Sequence, residues 1–314
     1  MSKTQNQRTA YGEELVALGK ENKNIVVLEA DLGKSTMSNM FQAVFPERFF
    51  EMGIAEQDML STAAGLAVGG KIPFVSSFAV FVTGRAYDQI RQTIAIGKLN
   101  VKICGSSAGF SDFGDGSTHQ AIDDVAIMNA VPNITILTPC DAEETRQAVR
   151  AAVKTRGPVY IRVGRNDTPD FVKPEDTFEL GMMRVLKDGK DIVIFAHGTM
   201  VDAAMKAALE LEKNHISTRL VNVSTMKPFD YLSAVDLTRG ARAVVTAEEH
   251  SYLGGLASAV CLALRKTKLP MDYVAVEDSF GQSARSASEL MEDYGLTSRN
   301  IVNKATSLLA MDFS

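Results

Sequence analysis

The chain has 314 residues, 46% hydrophobic and 23% charged, with a formal net charge of −5. That length exceeds one ordinary core, and that charge leaves no basic footprint for nucleic acid or an anionic membrane surface. No apolar run reaches the length of a bilayer span, and the polar start MSKTQNQRTA lacks the apolar core of a secretory leader. Cys104, Cys140 and Cys261 have neither CxxC nor metal-ligand spacing. Reduced thiols in a cytoplasm are therefore expected, and no metal ligands are assigned to this chain.

Short apolar runs then alternate with helical patterns. A helix over 9–20 precedes a buried strand in NIVVLEADL, 24–32. A second helix, 55–68, ends at Gly69-Gly70 with Pro73 just beyond, and leads into a strand at 71–78. A helix over 84–97 and strands at 101–109 and 134–139 follow. A helix over 141–154, opened by an Asp141/Glu144 capping box, and a strand at 158–165 complete the series. This order predicts an α/β fold with a mostly parallel sheet covered by helices. From 166 to 190 the chain is rich in Pro, Asp and Lys and reads as a linker, ending in a hairpin turning at Asp188-Gly189. Alternation resumes with a strand at 191–196, a helix at 201–213, strands at 217–223 and 241–247, a helix at 254–266, a strand at 272–277 and a helical tail. Two α/β domains are expected, 1–168 and a smaller 191–314, joined by a linker over 169–190.

Ligands of open α/β sheets gather beyond the carboxyl ends of strands. That rule selects Asp31 to Ser35, Phe78 and Phe81, the loop from Ser106 to His119, and Arg165. Glu56 lies in MGIAEQDM (52–59), ahead of the small-residue run LSTAAGLAVGG. A carboxylate there is either on a solvated helix edge or buried with a specific partner. Of the four histidines only His119 has polar company, Asp115 and Thr118; His215 should be solvated, and His197 and His250 should pack. The carboxylates of EEH (248–250) read as a solvated face. No GxGxxG follows the first strand and there is no GxSxG elbow, which disfavours a nicotinamide cofactor and an α/β-hydrolase nucleophile. GDGSTHQ (114–120) contains the Gly-Asp-Gly that opens the diphosphate and magnesium motif of thiamine diphosphate enzymes. The downstream TPCDAEETR has no Asn to complete that shell, so no diphosphate site is expected on this chain.

EADLGKS, MGIAEQDM, SSFAVF, GDGSTHQ and YIRVGR, in this order and spacing, resemble the pyrimidine-binding domain of transketolase, and VVTAEEHSYLGGL resembles its C-terminal domain. The resemblance covers essentially the whole chain but only the latter half of a full transketolase. It implies the C-terminal subunit of a split enzyme that transfers a two-carbon ketol unit from a ketose to an aldose. Thiamine diphosphate is the implied cofactor, with Mg²⁺ and the diphosphate held by an N-terminal partner subunit in an α₂β₂ heterotetramer. Glu56 matches the glutamate that contacts N1′ of the aminopyrimidine, where a charge-assisted hydrogen bond favours protonation. Phe81 matches the phenylalanine that stacks on the pyrimidine, with Phe78 beside it, and Asp31 an aspartate near the cofactor. The family's third aromatic falls near Gly84 and is missing; Tyr87 is the nearby candidate. His119 and Asp115 match residues that bind sugar hydroxyls, with His119 able to shuttle protons. Arg8, Ser35 and Arg165 match the anchors for a terminal phosphate, a geometry suited to guanidinium forks. Ser106 or Ser107 stands where ordinary transketolases carry a further histidine, which points to an anionic ketose of unusual shape. GIAEQ and GRAYDQ also resemble 1-deoxyxylulose-5-phosphate synthase. The β subunit of a 2-oxoacid dehydrogenase and a non-catalytic scaffold subunit are the other readings.

Overall fold

The computed structural model describes residues 4–311; the outer ends of the expected segments, 1–3 and 312–314, lie outside them. Along the first half run β1 (Thr4–Asn6), β2 (Ile25–Glu29), β3 (Phe49–Glu51), β4 (Ile72–Phe78), β5 (Lys102–Ser106), β6 (Thr135–Leu137), β7 (Val159–Arg162) and β8 (Asp167–Pro169). Along the second run β9 (Arg184–Lys187), β10 (Ile192–Ala196), β11 (Thr218–Asn222), β12 (Thr225–Lys227), β13 (Ala243–Ser251) and β14 (Met271–Val276). One sheet has the order β12-β6-β7-β5-β4-β2-β3, and another β14-β13-β10-β11-β9.

In the first sheet β2 to β7 pair in parallel. Such strands must be covered on both faces, and the side chains alternate accordingly. Ile25 and Val27 join Tyr11, Leu15 and Leu18 of the helix Gln7–Glu21, and Val149 of the helix Ala142–Lys154. Val26 and Leu28 face the other way, onto Met59, Leu60 and Ala63 of the helix Glu56–Val68. The expected α/β fold, a mostly parallel sheet clothed by helices, is the one observed. In the second sheet β10, β11, β13 and β14 are parallel, and β9 runs antiparallel on β11.

Three local expectations are corrected. The hairpin at Asp188-Gly189 does not form: β9 pairs with β11, because β10 already has β11 and β13 on its two edges. The stretch 84–97 is not a regular α-helix but two wide turns, Phe81–Arg85 and Gln89–Ala95, whose Ile96 N–H reaches back five residues to the Arg91 carbonyl. Glu248 and Glu249 are buried, not solvated, because β13 runs through the interior, and His250 beside them is buried as expected. The capping box forms by half. Asp141 Oδ1 accepts the Glu144 N–H at 2.7 Å, but the Glu144 carboxylate turns to the Cys140 N–H and to Asn222.

Candidate active site

Glu56 is the first residue of its helix, where the exposed N–H groups favour a carboxylate. It is only 1% exposed. Of the two settings the sequence allowed, it occupies the second, and its partner is Arg85, whose Nη1 donates to both carboxylate oxygens at 2.9 Å. Arg85 leaves the wide turn that follows β4. Its guanidinium carbon sits 4.6 Å from the centre of the Phe81 ring. Phe81 stacks on Phe78 with ring centres 5.9 Å apart, and His119 meets both rings edge-on at 5.1 and 6.1 Å. The Nδ1 of His119 pairs with the Thr118 hydroxyl at 2.9 Å. Tyr87 packs against the apolar core instead, so the side chain lying over Phe81 is Arg85, which sequence reasoning had not singled out.

A cationic corner adjoins this cluster. Arg8, near the start of the first helix, donates to the Ser35 carbonyl at 2.7 Å. Burial, and then the positive charge of Arg165, push the Arg8 guanidinium down from its ordinary range, against the pull of Asp112 and Asp167. Among the described residues its Nε is buried with no hydrogen-bond partner, which leaves it a donor to spare. Arg165 donates to Asp112 at 2.8 Å. Burial raises the Asp112 carboxyl, Arg165 opposes, and Asp115 raises it further. Asp112, in the loop between β5 and His119, thus feels the charges of Arg165, Asp115 and His119, and Arg8, which holds the Ser35 carbonyl, feels those of Asp112 and Arg165. Asp112 was missed, although an acid three residues before Asp115 in a loop at the binding edge was a usable signal. At the end of β5 the hydroxyls of Ser106 and Ser107 are buried with no partner among the described residues, and Ser107 holds φ at 54°.

Asp31 sits slightly apart. It is exposed, with φ at 60°, and its N–H is held by Glu51 at 2.8 Å. It lines a cavity of about 560 Å³ with Lys34, Ser35, Asn39 and Glu51. Among the described residues no group of three or more His, Cys, Asp or Glu side chains could hold a metal ion.

The family model described as transketolase, pyrimidine binding domain, matches residues 3–170, and that described as transketolase, C-terminal domain, matches 181–301. A putative transketolase C-terminal section from Methanocaldococcus jannaschii is 42% identical over 301 residues, which cover 95% of this chain and 94% of that one. A 6-deoxy-6-sulfo-D-fructose transketolase subunit from a Clostridium species is 38% identical, over 95% of this chain and 92% of that one. A solved structure described as a split gene transketolase, inactive beta4 tetramer, superposes with a TM-score of 0.90 at 48% identity, covering 97% of this chain and 98% of that one.

Proposed function

Because the chain belongs to the transketolase family, we propose that it is the C-terminal subunit of a split transketolase, moving a two-carbon ketol unit from an anionic ketose to an aldose. The residues present fit the aminopyrimidine end of thiamine diphosphate: a carboxylate sealed from water is linked through the Arg85 side chain to an aromatic face. For the other end, the Gly-Asp-Gly of GDGSTHQ lacks the downstream Asn that would complete a diphosphate and metal motif. The diphosphate and its Mg²⁺ would therefore be gripped by an N-terminal partner, with an α₂β₂ assembly closing the sites. Bound thiamine diphosphate supplies an acidic ring carbon and an electron sink.

The work of this chain is orientation and proton placement. Glu56 holds a proton at the pyrimidine ring nitrogen through a charge-assisted hydrogen bond, strengthened by its dry setting. Phe81, backed by Phe78, gives that ring a face to stack on. Asp31 is assigned to the cofactor side on the resemblance alone. His119 and Asp115 engage sugar hydroxyls, and His119 moves a proton during cleavage of the carbon–carbon bond. Arg8 and Arg165, with Ser35, hold the far anion. The relative named for 6-deoxy-6-sulfo-D-fructose supports an anion in that place.

The observation that carries this reading is the burial of Glu56 at 1% exposure, joined through Arg85 to the face of Phe81. To test it, the chain is co-purified with the partner that bears the diphosphate motif and assayed against a panel of ketoses. Thiamine-dependent transfer, a preference for anionic ketoses, and a loss of roughly a hundredfold in Glu56→Gln are expected. Equal turnover by the pure single chain, or by the complex without thiamine diphosphate, would refute it.

A further inference from the structure

Arg85 holds two places at once. One nitrogen of its guanidinium satisfies both oxygens of buried Glu56, and the guanidinium carbon covers the face of Phe81 at 4.6 Å. These are the two surfaces that the proposed function gives to the aminopyrimidine ring, one for its nitrogen and one for its π-face. A planar cation that hydrogen-bonds a carboxylate while lying on an aromatic ring has the same needs as a protonated pyrimidine. We propose that Arg85 is a stand-in for the cofactor's ring. It neutralises Glu56 and covers Phe81 while the site is empty, and it swings out to solvent when the ring enters.

The local structure allows such a movement. Arg85 is 47% exposed, whereas Glu56 is 1% exposed, so the arginine enters from the solvent side. Its neighbour Gly84 faces open space, where an added Cβ would meet nothing within 4 Å. Val82 and Thr83 are buried, and Thr83 ties the turn to the Ala79 carbonyl at 2.7 Å. The turn is thus anchored on its inner side and free on the side that carries Arg85. A buried carboxylate left alone is costly, and the stand-in removes that cost from the empty chain. The same contact must be given up on binding, so the pair lowers cofactor affinity by whatever it contributes to the empty state.

This inference rests on the assignment of thiamine diphosphate to the site. The test measures thiamine diphosphate affinity calorimetrically in the complex of the chain with its partner, for wild type, Arg85→Met and Arg85→Lys. In parallel, the melting temperature of the single chain is recorded. Arg85→Met removes the charge and keeps the bulk; the cofactor should bind about tenfold more tightly, and the lone chain should melt at a lower temperature. Arg85→Lys keeps a point charge for Glu56, since one nitrogen serves both oxygens now, and should stay near wild type in both. Weaker or unchanged cofactor binding by Arg85→Met would overturn the stand-in role, the first by showing that Arg85 holds the cofactor itself. If the wild-type complex and a Glu56→Gln complex alike bind no thiamine diphosphate, the functional assignment falls and takes the stand-in with it.

Discussion

Glu29, at the carboxyl end of β2, shows how burial can dominate a residue's chemistry. It is fully buried, and it accepts from the Leu32 N–H at 2.6 Å and the Thr36 hydroxyl at 3.3 Å. Those bonds favour the charged form, but burial outweighs them, and Glu51 and Asp31 add repulsion. The carboxyl is pushed up to about 8 from an ordinary 4.5. A carboxyl raised in the folded state keeps its proton where the unfolded chain has lost it, so folding binds a proton between those two values. Stability should therefore fall as pH rises from 4.5 towards 8 and level off above. The slope has an upper limit of about 1.4 kcal/mol per pH unit. Urea unfolding from acid to mildly alkaline pH should show this decline in the wild type and a flatter curve in Glu29→Gln. Identical slopes would show that Glu29 is ionised in the native chain.

At the scale of elements, the loop after β5 is held by the second half of the chain. Glu249 of β13 accepts the Phe110 N–H at 2.6 Å and the Thr199 hydroxyl. Gly109, at φ 63°, has its missing Cβ against the Glu249 side chain, so no larger residue fits there. Phe110 packs on Tyr294 with ring centres 4.6 Å apart, the Ala284 N–H donates to the Phe113 carbonyl, and Gln120 donates to the Gln282 carbonyl. The loop so fastened carries Asp112, Asp115 and His119. Glu249 is a positioning residue, and Glu249→Ala should loosen the loop while Glu56 and Phe81, which lie outside it, keep their places. Faster hydrogen exchange at the Phe110 amide and a rise of about tenfold in the sugar KM are expected, with cofactor affinity unchanged. A matching loss of cofactor affinity would show that the loop is not the part affected. None of this clamp was legible in EEH, which has the composition of a solvated face; only the depth of β13 distinguishes the two. The parallel strands and their helices were legible, because their periodicity is set by burial on two faces. The strands β3 and β12 were not, since three residues outside an apolar run carry no signal, and β9 was read as a hairpin arm but given the wrong partner, which lies farther along the chain. Glu56, Phe81 and His119 could be named from motifs, whereas Arg85 reads as an ordinary helix cation in GRAYDQIR. It takes the wide turn at Phe81–Arg85 to carry it back over the ring.

At the scale of the molecule, the two family segments share their interior. β12 comes from the second half yet closes the first sheet on β6. The Thr138 N–H donates to the Ser224 carbonyl at 2.8 Å, and Lys227 donates to the carbonyls of Asn129 and Val131. Arg162 of β7 is buried at the same seam, bound to Asp124 and to the carbonyls of Ala121 and Glu249. One apolar cluster runs from Leu28 and Ile103 through to Phe195 and Val221. Cutting between the segments would bare the β6 edge, that apolar surface, and one of the carbonyls that satisfy Arg162. An open edge and an under-satisfied buried cation both oppose folding. Residues 1–170 expressed alone should therefore lack a cooperative thermal transition and should aggregate, and should regain the transition when 171–314 is supplied in trans. Cooperative melting of the isolated 1–170 segment at the temperature of the full chain would mean that the seam adds nothing to folding, and that each segment is stabilised from within.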